Sequence, residues 1–127
     1  MIPWLDEAHG PAFPPASRAA RHPNGLLAAG GALTPDWLLA AYRRGIFPWF
    51  SDGEPILWWS PDPRMVLQVD RFRLHRSLRR TLQRFRATPG CEVRVDSAFV
   101  NVIQACARTP RDGQSGTWIV PPMVVAY

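Results

Sequence analysis

The run Tyr42–Arg64, YRRGIFPWFSDGEPILWWSPDPR, decides how this chain is read. Phe47, Trp49, Phe50, Trp58 and Trp59 crowd into it, and Gly45, Pro48, Gly53, Pro55, Pro61 and Pro63 interrupt them. Proline lacks a backbone donor and glycine favours turns, so this punctuation forbids a long helix. The aromatics must sit on short, bent elements, with Ile56–Trp59 a strand that enters a Ser60–Pro63 turn. An ordinary core needs only Leu, Ile and Val on regular elements. Rigid aromatic walls beside polar backbone are how proteins build pockets for apolar groups or flat rings. A Trp-rich core and such a pocket both fit these residues.

Working back from that run, Thr34 reads as a helix N-cap, Pro35 as the first helical residue and Asp36 as an acid at the positive end of the dipole. Trp37, Leu38, Ala41 and Tyr42 recur at helical spacing until Gly45 stops the run. This helix delivers Tyr42 to the aromatic stretch. Asn24-Gly25 predicts a turn, Leu26–Ala29 a short strand, and Gly30-Gly31 the loop that closes it. Residues 1–23 read as an extended leading segment anchored by Trp4, Leu5 and Phe13.

Working forward, Met65–Leu67 reads as a strand. Residues 73–86 form the clearest helix. At about 100° per residue, Leu74, Leu78, Leu82 and Phe85 fall on one side and Arg73, Arg76, Arg80 and Arg84 on the other. Glu92, Arg94 and Asp96 alternate with Val93 and Val95 as in a half-buried strand. Ser97 is placed to cap a helix through Phe99, Val102, Ile103 and Cys106. Thr109–Gly116 reads as a polar loop, Trp118–Val120 as an extended segment, and Pro121-Pro122 as a helix start. The chain ends on Met123–Tyr127, an apolar run unlike a frayed terminus, and is expected to be cut short.

The chain has 127 residues, with 46% hydrophobic and 20% charged, which is the composition of a folded protein rather than a disordered tail. Its net charge of +5 comes mainly from Arg71–Arg86, which holds seven arginines and no acid. Arginine fits phosphate oxygens bidentately, and several on one helix face can track a nucleic-acid backbone. A merely solvated helix face usually carries both signs, and like charges at i,i+4 repel. A polyanionic partner is therefore expected. Cys91 and Cys106 sit among small or apolar residues and read as buried free thiols. His9, His22 and His75 form no metal-spaced cluster, and no phosphate loop or nucleophile elbow is present. Asp52, Glu54 and Asp62 border turns, where carboxylates are usually solvated or capping. No apolar run reaches membrane-spanning length and no signal-peptide pattern opens the chain, so a cytoplasmic protein is expected.

Three pieces of the sequence go further than a class: PNGLLAAGGAL, AYRRGIFPWF and PILWWSPDPR. Together they closely resemble the N-terminal region of bacterial leucyl/phenylalanyl-tRNA–protein transferases. LHRSLRRTLQR resembles that family's basic helix, and FVNVIQACA and GTWI…AY its next segments, so the likeness runs from about residue 22 to the end. The resemblance implies an α/β (α+β) fold. Residues 1–63 would form a small N-terminal α/β domain, and 64–127 the incomplete first part of a GNAT-like acyltransferase domain. It implies transfer of Leu, Phe or, less well, Met from aminoacyl-tRNA to acceptor proteins with N-terminal Arg or Lys, marking them for degradation. No metal and no acetyl-CoA are implied, because the tRNA ester is itself the activated donor.

By position, Tyr42 and Trp49 match residues near the donor's adenosine and aminoacyl end. Trp118 matches a wall of the amino-acid pocket, and Tyr127 another active-site tyrosine. Arg76, Arg80 and Arg84 match the helix that holds the tRNA acceptor stem, whereas Gln83 stands where related sequences can carry another basic residue. The family's proposed amine-activating Asp and Gln lie beyond the position of Tyr127, so the catalytic residues of this chain are unknown. The rival reading is a catalytically inactive tRNA- or RNA-binding fragment.

Overall fold

The computed structural model describes residues 1–110, 112–113 and 117–127. In chain order its elements are β1 (Trp4–Leu5), β2 (Leu26–Gly30), α1 (Pro35–Tyr42), β3 (Phe47–Pro48), β4 (Leu57–Trp59), α2 (Arg76–Ala87), α3 (Phe99–Arg108) and α4 (Pro121–Ala126), with short 3-10 turns between some of them. This is an α+β fold, as expected. Met1–Pro63 and Val100–Tyr127 form one compact unit, and Arg64–Phe99 forms another.

The first unit is built on a four-stranded sheet of order β1-β2-β4-β3. β4 pairs antiparallel with both neighbours, Phe47 facing Trp59 and Ala28 facing Trp58. β1 lies parallel to β2, a pairing that no sequence pattern announced for so short a strand. Strand alternation sends Trp58 and Trp59 to opposite faces. Trp58 is fully buried while Trp59 is half-buried. Trp58 stacks on Trp37 with ring centroids 6.1 Å apart and meets Phe13 edge-on at 4.7 Å. Its indole N–H donates to the Gly30 carbonyl at 2.9 Å, so this buried donor is satisfied. Leu5, Leu27, Leu38, Ala41, Ile46 and, from α4, Ala126 complete the same cluster.

α1 forms as its signals predict, from Thr34 as N-cap and Pro35 at the first turn, although the Thr34 hydroxyl makes no capping bond. Gly45 ends it in the left-handed region at φ 69°, and the Ile46 N–H returns to the Ala41 carbonyl at 3.0 Å. Gly31, at φ 75°, is required by packing as well: a Cβ there would lie 2.4 Å from the Trp37 ring. The leading segment is not wholly extended. Asp6 accepts from the Ala8 N–H at 2.9 Å and pairs with His9 at 2.7 Å, closing a turn over Glu7–His9. Those two bonds, the Ala8 N–H first, hold the Asp6 carboxyl below its ordinary value. Arg44 straps the same segment down by donating to the carbonyls of Phe13 at 2.7 Å and Pro14 at 3.0 Å.

In the second unit the helix predicted over 73–86 runs from Arg76 to Ala87, so Arg73 and Leu74 precede it. Its first bond joins the Arg79 N–H to the His75 carbonyl at 2.9 Å, and no side chain caps the earlier turn. The strands expected at Met65–Leu67 and over 92–96 do not form. A strand persists only where its backbone groups meet a neighbour's, and among the described residues none lies alongside these segments. Met65, Val93 and Val95 are largely exposed, and Asp96 leaves the extended region at φ 56°. Cys91 and Cys106 are exposed, not buried as expected. The small and apolar neighbours that suggested burial are themselves uncovered, Val93 and Val102 among them. α3 begins at Phe99, two residues after Ser97.

Of the polar loop expected over Thr109–Gly116, Arg111 and residues 114–116 lie outside the described residues. Beyond it, Ile119 and Val120 are buried without joining a strand ladder, and Val120 leads into α4. No helix among the described residues is long and apolar enough to cross a membrane.

Candidate functional site

Tyr42 and Tyr127 are brought together. α1 presents Tyr42 as its last residue, and α4, anchored by the buried Met123 and Ala126, presents Tyr127 just past its end. Their ring centroids are 6.1 Å apart and tilted by 44°. Partial burial raises the Tyr127 phenol above its ordinary pKa.

Trp49 stands apart from that pair, since among the described residues no ring contact links them. Its backbone is fixed on both sides: the N–H donates to Leu57 O at 2.9 Å, and the carbonyl accepts from the Trp59 indole N–H at 2.7 Å. Trp49 is 49% exposed, and its ring lies 5.8 Å from the Trp59 ring at a 55° tilt. The chain reverses beyond it through a reciprocal turn, Ser51 N–H to Glu54 Oε2 at 2.9 Å and Glu54 N–H to Ser51 O at 3.1 Å. Glu54 is therefore a capping carboxylate, as its place beside a turn predicts. Trp118 is half-buried, immediately before the buried Ile119 and Val120, and no ring contact ties it to the tyrosines or to Trp49 among the described residues. Two open clefts in this unit, of about 640 and 440 Å³, are lined by neither Trp49, Trp118 nor the tyrosines.

The basic site belongs to the second unit. Arg76, Arg80 and Arg84 lie on α2, a helix with no acidic residue, and all three are exposed. Among the described residues no carboxylate lies within ion-pair distance of them. The opposite, apolar side carries Leu78 and Leu82, each about two-fifths exposed, and the half-buried Phe85. The arrangement leaves three guanidiniums unopposed, the state a bound polyanion would neutralise. No group of three His, Cys, Asp or Glu side chains among the described residues could hold a metal ion.

Sequence reasoning singled out Trp49 but overlooked Trp59. The signal was there: adjacent tryptophans on a strand must point to opposite faces, so one of them had to leave the core. Arg44 and Ala126 were missed because their partners are distant in sequence.

Exposed indoles can stack on flat rings, and unopposed guanidiniums can pair with phosphates. The class these features define is an α+β protein with exposed aromatic rings on one unit and an acid-free basic helix on the other. Comparison with known proteins narrows it. Residues 31–62 match the leucyl/phenylalanyl-tRNA protein transferase N-terminal domain, and residues 66–127 match the leucyl/phenylalanyl-tRNA protein transferase family itself. Relatives named leucyl/phenylalanyl-tRNA–protein transferase include that of Azoarcus sp., 63% identical over all of this chain and 51% of its own length. Those of Leptothrix cholodnii and Chromobacterium violaceum are each 61% identical over all of this chain, covering 51% and 52% of theirs. The chain belongs to the leucyl/phenylalanyl-tRNA–protein transferase family. It spans about half the length of the curated relatives it matches.

Proposed function

We propose that this chain carries the donor-binding part of an aminoacyltransferase that moves Leu, Phe or Met from aminoacyl-tRNA to proteins with N-terminal Arg or Lys. The observation that carries the reading is the match to named transferases across the whole chain. The proposed reaction forms a C–N bond as the acceptor α-amine attacks the ester carbonyl, and breaks the ester C–O bond as the ribose oxygen leaves with a proton. An ester is already activated, so positioning and oxyanion stabilisation can supply much of the rate without a metal or acetyl-CoA. The product would be marked for degradation in the cytoplasm.

In this reading Arg76, Arg80 and Arg84 hold the acceptor-stem phosphates, an interaction that fixes position rather than sequence. Trp49 and Tyr42 face the terminal adenosine and the aminoacyl end, with Tyr127 beside Tyr42. Trp118 is a wall of the side-chain pocket. An apolar pocket separates side chains by only about 1–3 kcal/mol per methylene, which suits a donor set of several apolar residues. Residues 1–63 would be the N-terminal domain and 64–127 the first part of a GNAT-like domain. A second reading, RNA binding without turnover, draws on the acid-free face of α2.

The test is a chimera that joins this chain to the second half of the Azoarcus relative. It is expected to transfer labelled leucine from leucyl-tRNA to a peptide beginning with Arg, and not to one beginning with Gly. A folded chimera that binds leucyl-tRNA and transfers nothing would favour RNA binding alone.

A further inference from the structure

Trp59 does two things to Trp49 at once, and neither serves the core on which Trp58 sits. Its indole N–H donates to the Trp49 carbonyl at 2.7 Å, and its ring lies 5.8 Å from the Trp49 ring. The remaining backbone group of Trp49, its N–H, is already held by Leu57 O at 2.9 Å. Trp49 follows directly on β3, a strand of two residues whose register with β4 sets Phe47 opposite Trp59. So short an edge strand cannot by itself fix the direction of a large side chain beyond its end. The bond from Trp59 pins the Trp49 backbone from the carbonyl side, and the contact between the two rings bears on the side chain itself.

We propose that Trp59 is a positioning residue: it orients the exposed Trp49 ring so that one face stays free to stack on a flat ring of the bound donor. The proposal rests on the reading that Trp49 meets the donor's adenosine, and it deepens that reading. An indole needs its plane fixed before it can stack without an ordering cost. The bond that the Trp49 N–H donates to the Leu57 carbonyl fixes the depth of Trp49, and the tilted contact at 55° sets a second wall beside its ring. Phenylalanine at position 59 would retain a ring but lose the donor. Stacking at Trp49 would then weaken although both aromatic positions were still filled.

The test uses the full chain and a non-hydrolysable donor mimic, 3′-(phenylalanylamino)-3′-deoxyadenosine, with 5-fluorotryptophan incorporated for fluorine NMR. Trp59→Phe is expected to weaken binding by about threefold to tenfold, the scale of one net hydrogen bond. The Trp49 resonance should move while those of the buried Trp37 and Trp58 stay in place, a pattern that general loss of stability would not give. Trp49→Phe should weaken binding at least as much. If Trp49→Phe weakens binding and Trp59→Phe does not, the positioning role is overturned and the donor-site reading survives. If neither variant changes binding, Trp49 does not meet the donor and both fall. Should Trp59→Phe not fold, hydrogen exchange in the unsubstituted chain decides. Protection of the Trp59 indole proton that deepens when the mimic binds supports the proposal, and exchange at the rate of free indole overturns it.

Discussion

Replacing Trp58 with Phe tests how the core of the larger unit is made. Trp58 is fully buried, stacked on Trp37 at 6.1 Å and met edge-on by Phe13 at 4.7 Å. The smaller ring leaves a void and forfeits contacts worth roughly 1–1.5 kcal/mol, one to two methylene equivalents. It also removes the donor that satisfies the Gly30 carbonyl at 2.9 Å. A buried acceptor left unpaired costs about 1–3 kcal/mol. Together these predict a loss of about 2–4.5 kcal/mol, a large share of a typical domain's 5–15 kcal/mol. Urea unfolding followed by far-UV circular dichroism measures it, with Trp49→Phe as the contrast. Trp49 is half-exposed, and its ring change should cost less than about 1 kcal/mol. A Trp58→Phe loss no larger than that of Trp49→Phe would mean that the indole stack and its carbonyl bond do not hold this core.

Three other outcomes are expected, the first resting on the pocket role proposed for Trp118. In a chimera completed with the second half of a relative, Trp118→Ala should lower transfer from leucyl- and phenylalanyl-tRNA by roughly 1–3 kcal/mol of lost pocket contact while tRNA affinity and melting temperature hold. Unfolding in step with lost activity would instead make Trp118 a core residue. In a Tyr42→Phe background the remaining tyrosine, Tyr127, should ionise at a pH above that of free tyrosine, read by absorbance at the phenolate band. Because burial raises its pKa, its contribution to stability is complete below the unfolded tyrosine value and is lost as pH rises through the folded one. A midpoint at the free value would remove the burial. Finally, Met65, Leu67 and Val69 are 97%, 70% and 82% exposed, so light scattering should find the chain self-associating. A monodisperse monomer would contradict that.

Local chemistry made part of this fold legible. Thr34, Pro35 and Gly45 bound α1 because capping and helix termination depend on a few adjacent residues. The prolines and glycines around Phe47–Trp59 announced short elements for the same reason. Pairing at a distance left no such trace. β1 is two residues long and parallel to β2, Arg44 reaches back to Phe13, and Ala126 enters the core from the far end of the chain. The alternation at Val93 and Val95 resembled a strand because it records which side of the segment is apolar, and not whether a neighbour is present to pair with it. At the site, the sequence marked Tyr42, Trp49, Trp118 and Tyr127 through the family likeness. That Tyr42 lies beside Tyr127, and Trp59 beside Trp49, became visible only once register and helix ends had set the rings side by side.

The proposed function turns on the unopposed arginines of α2 as the grip on a tRNA donor. The affinity of the chain for leucyl-tRNA, measured across a salt series with and without Arg76→Ala, Arg80→Ala and Arg84→Ala combined, tests it most directly. Each phosphate contact contributes about 0.7–0.9 to the slope of log affinity against log salt. The triple variant is expected to bind more weakly, with a slope shallower by about two to three. An unchanged affinity and an unchanged slope would contradict it.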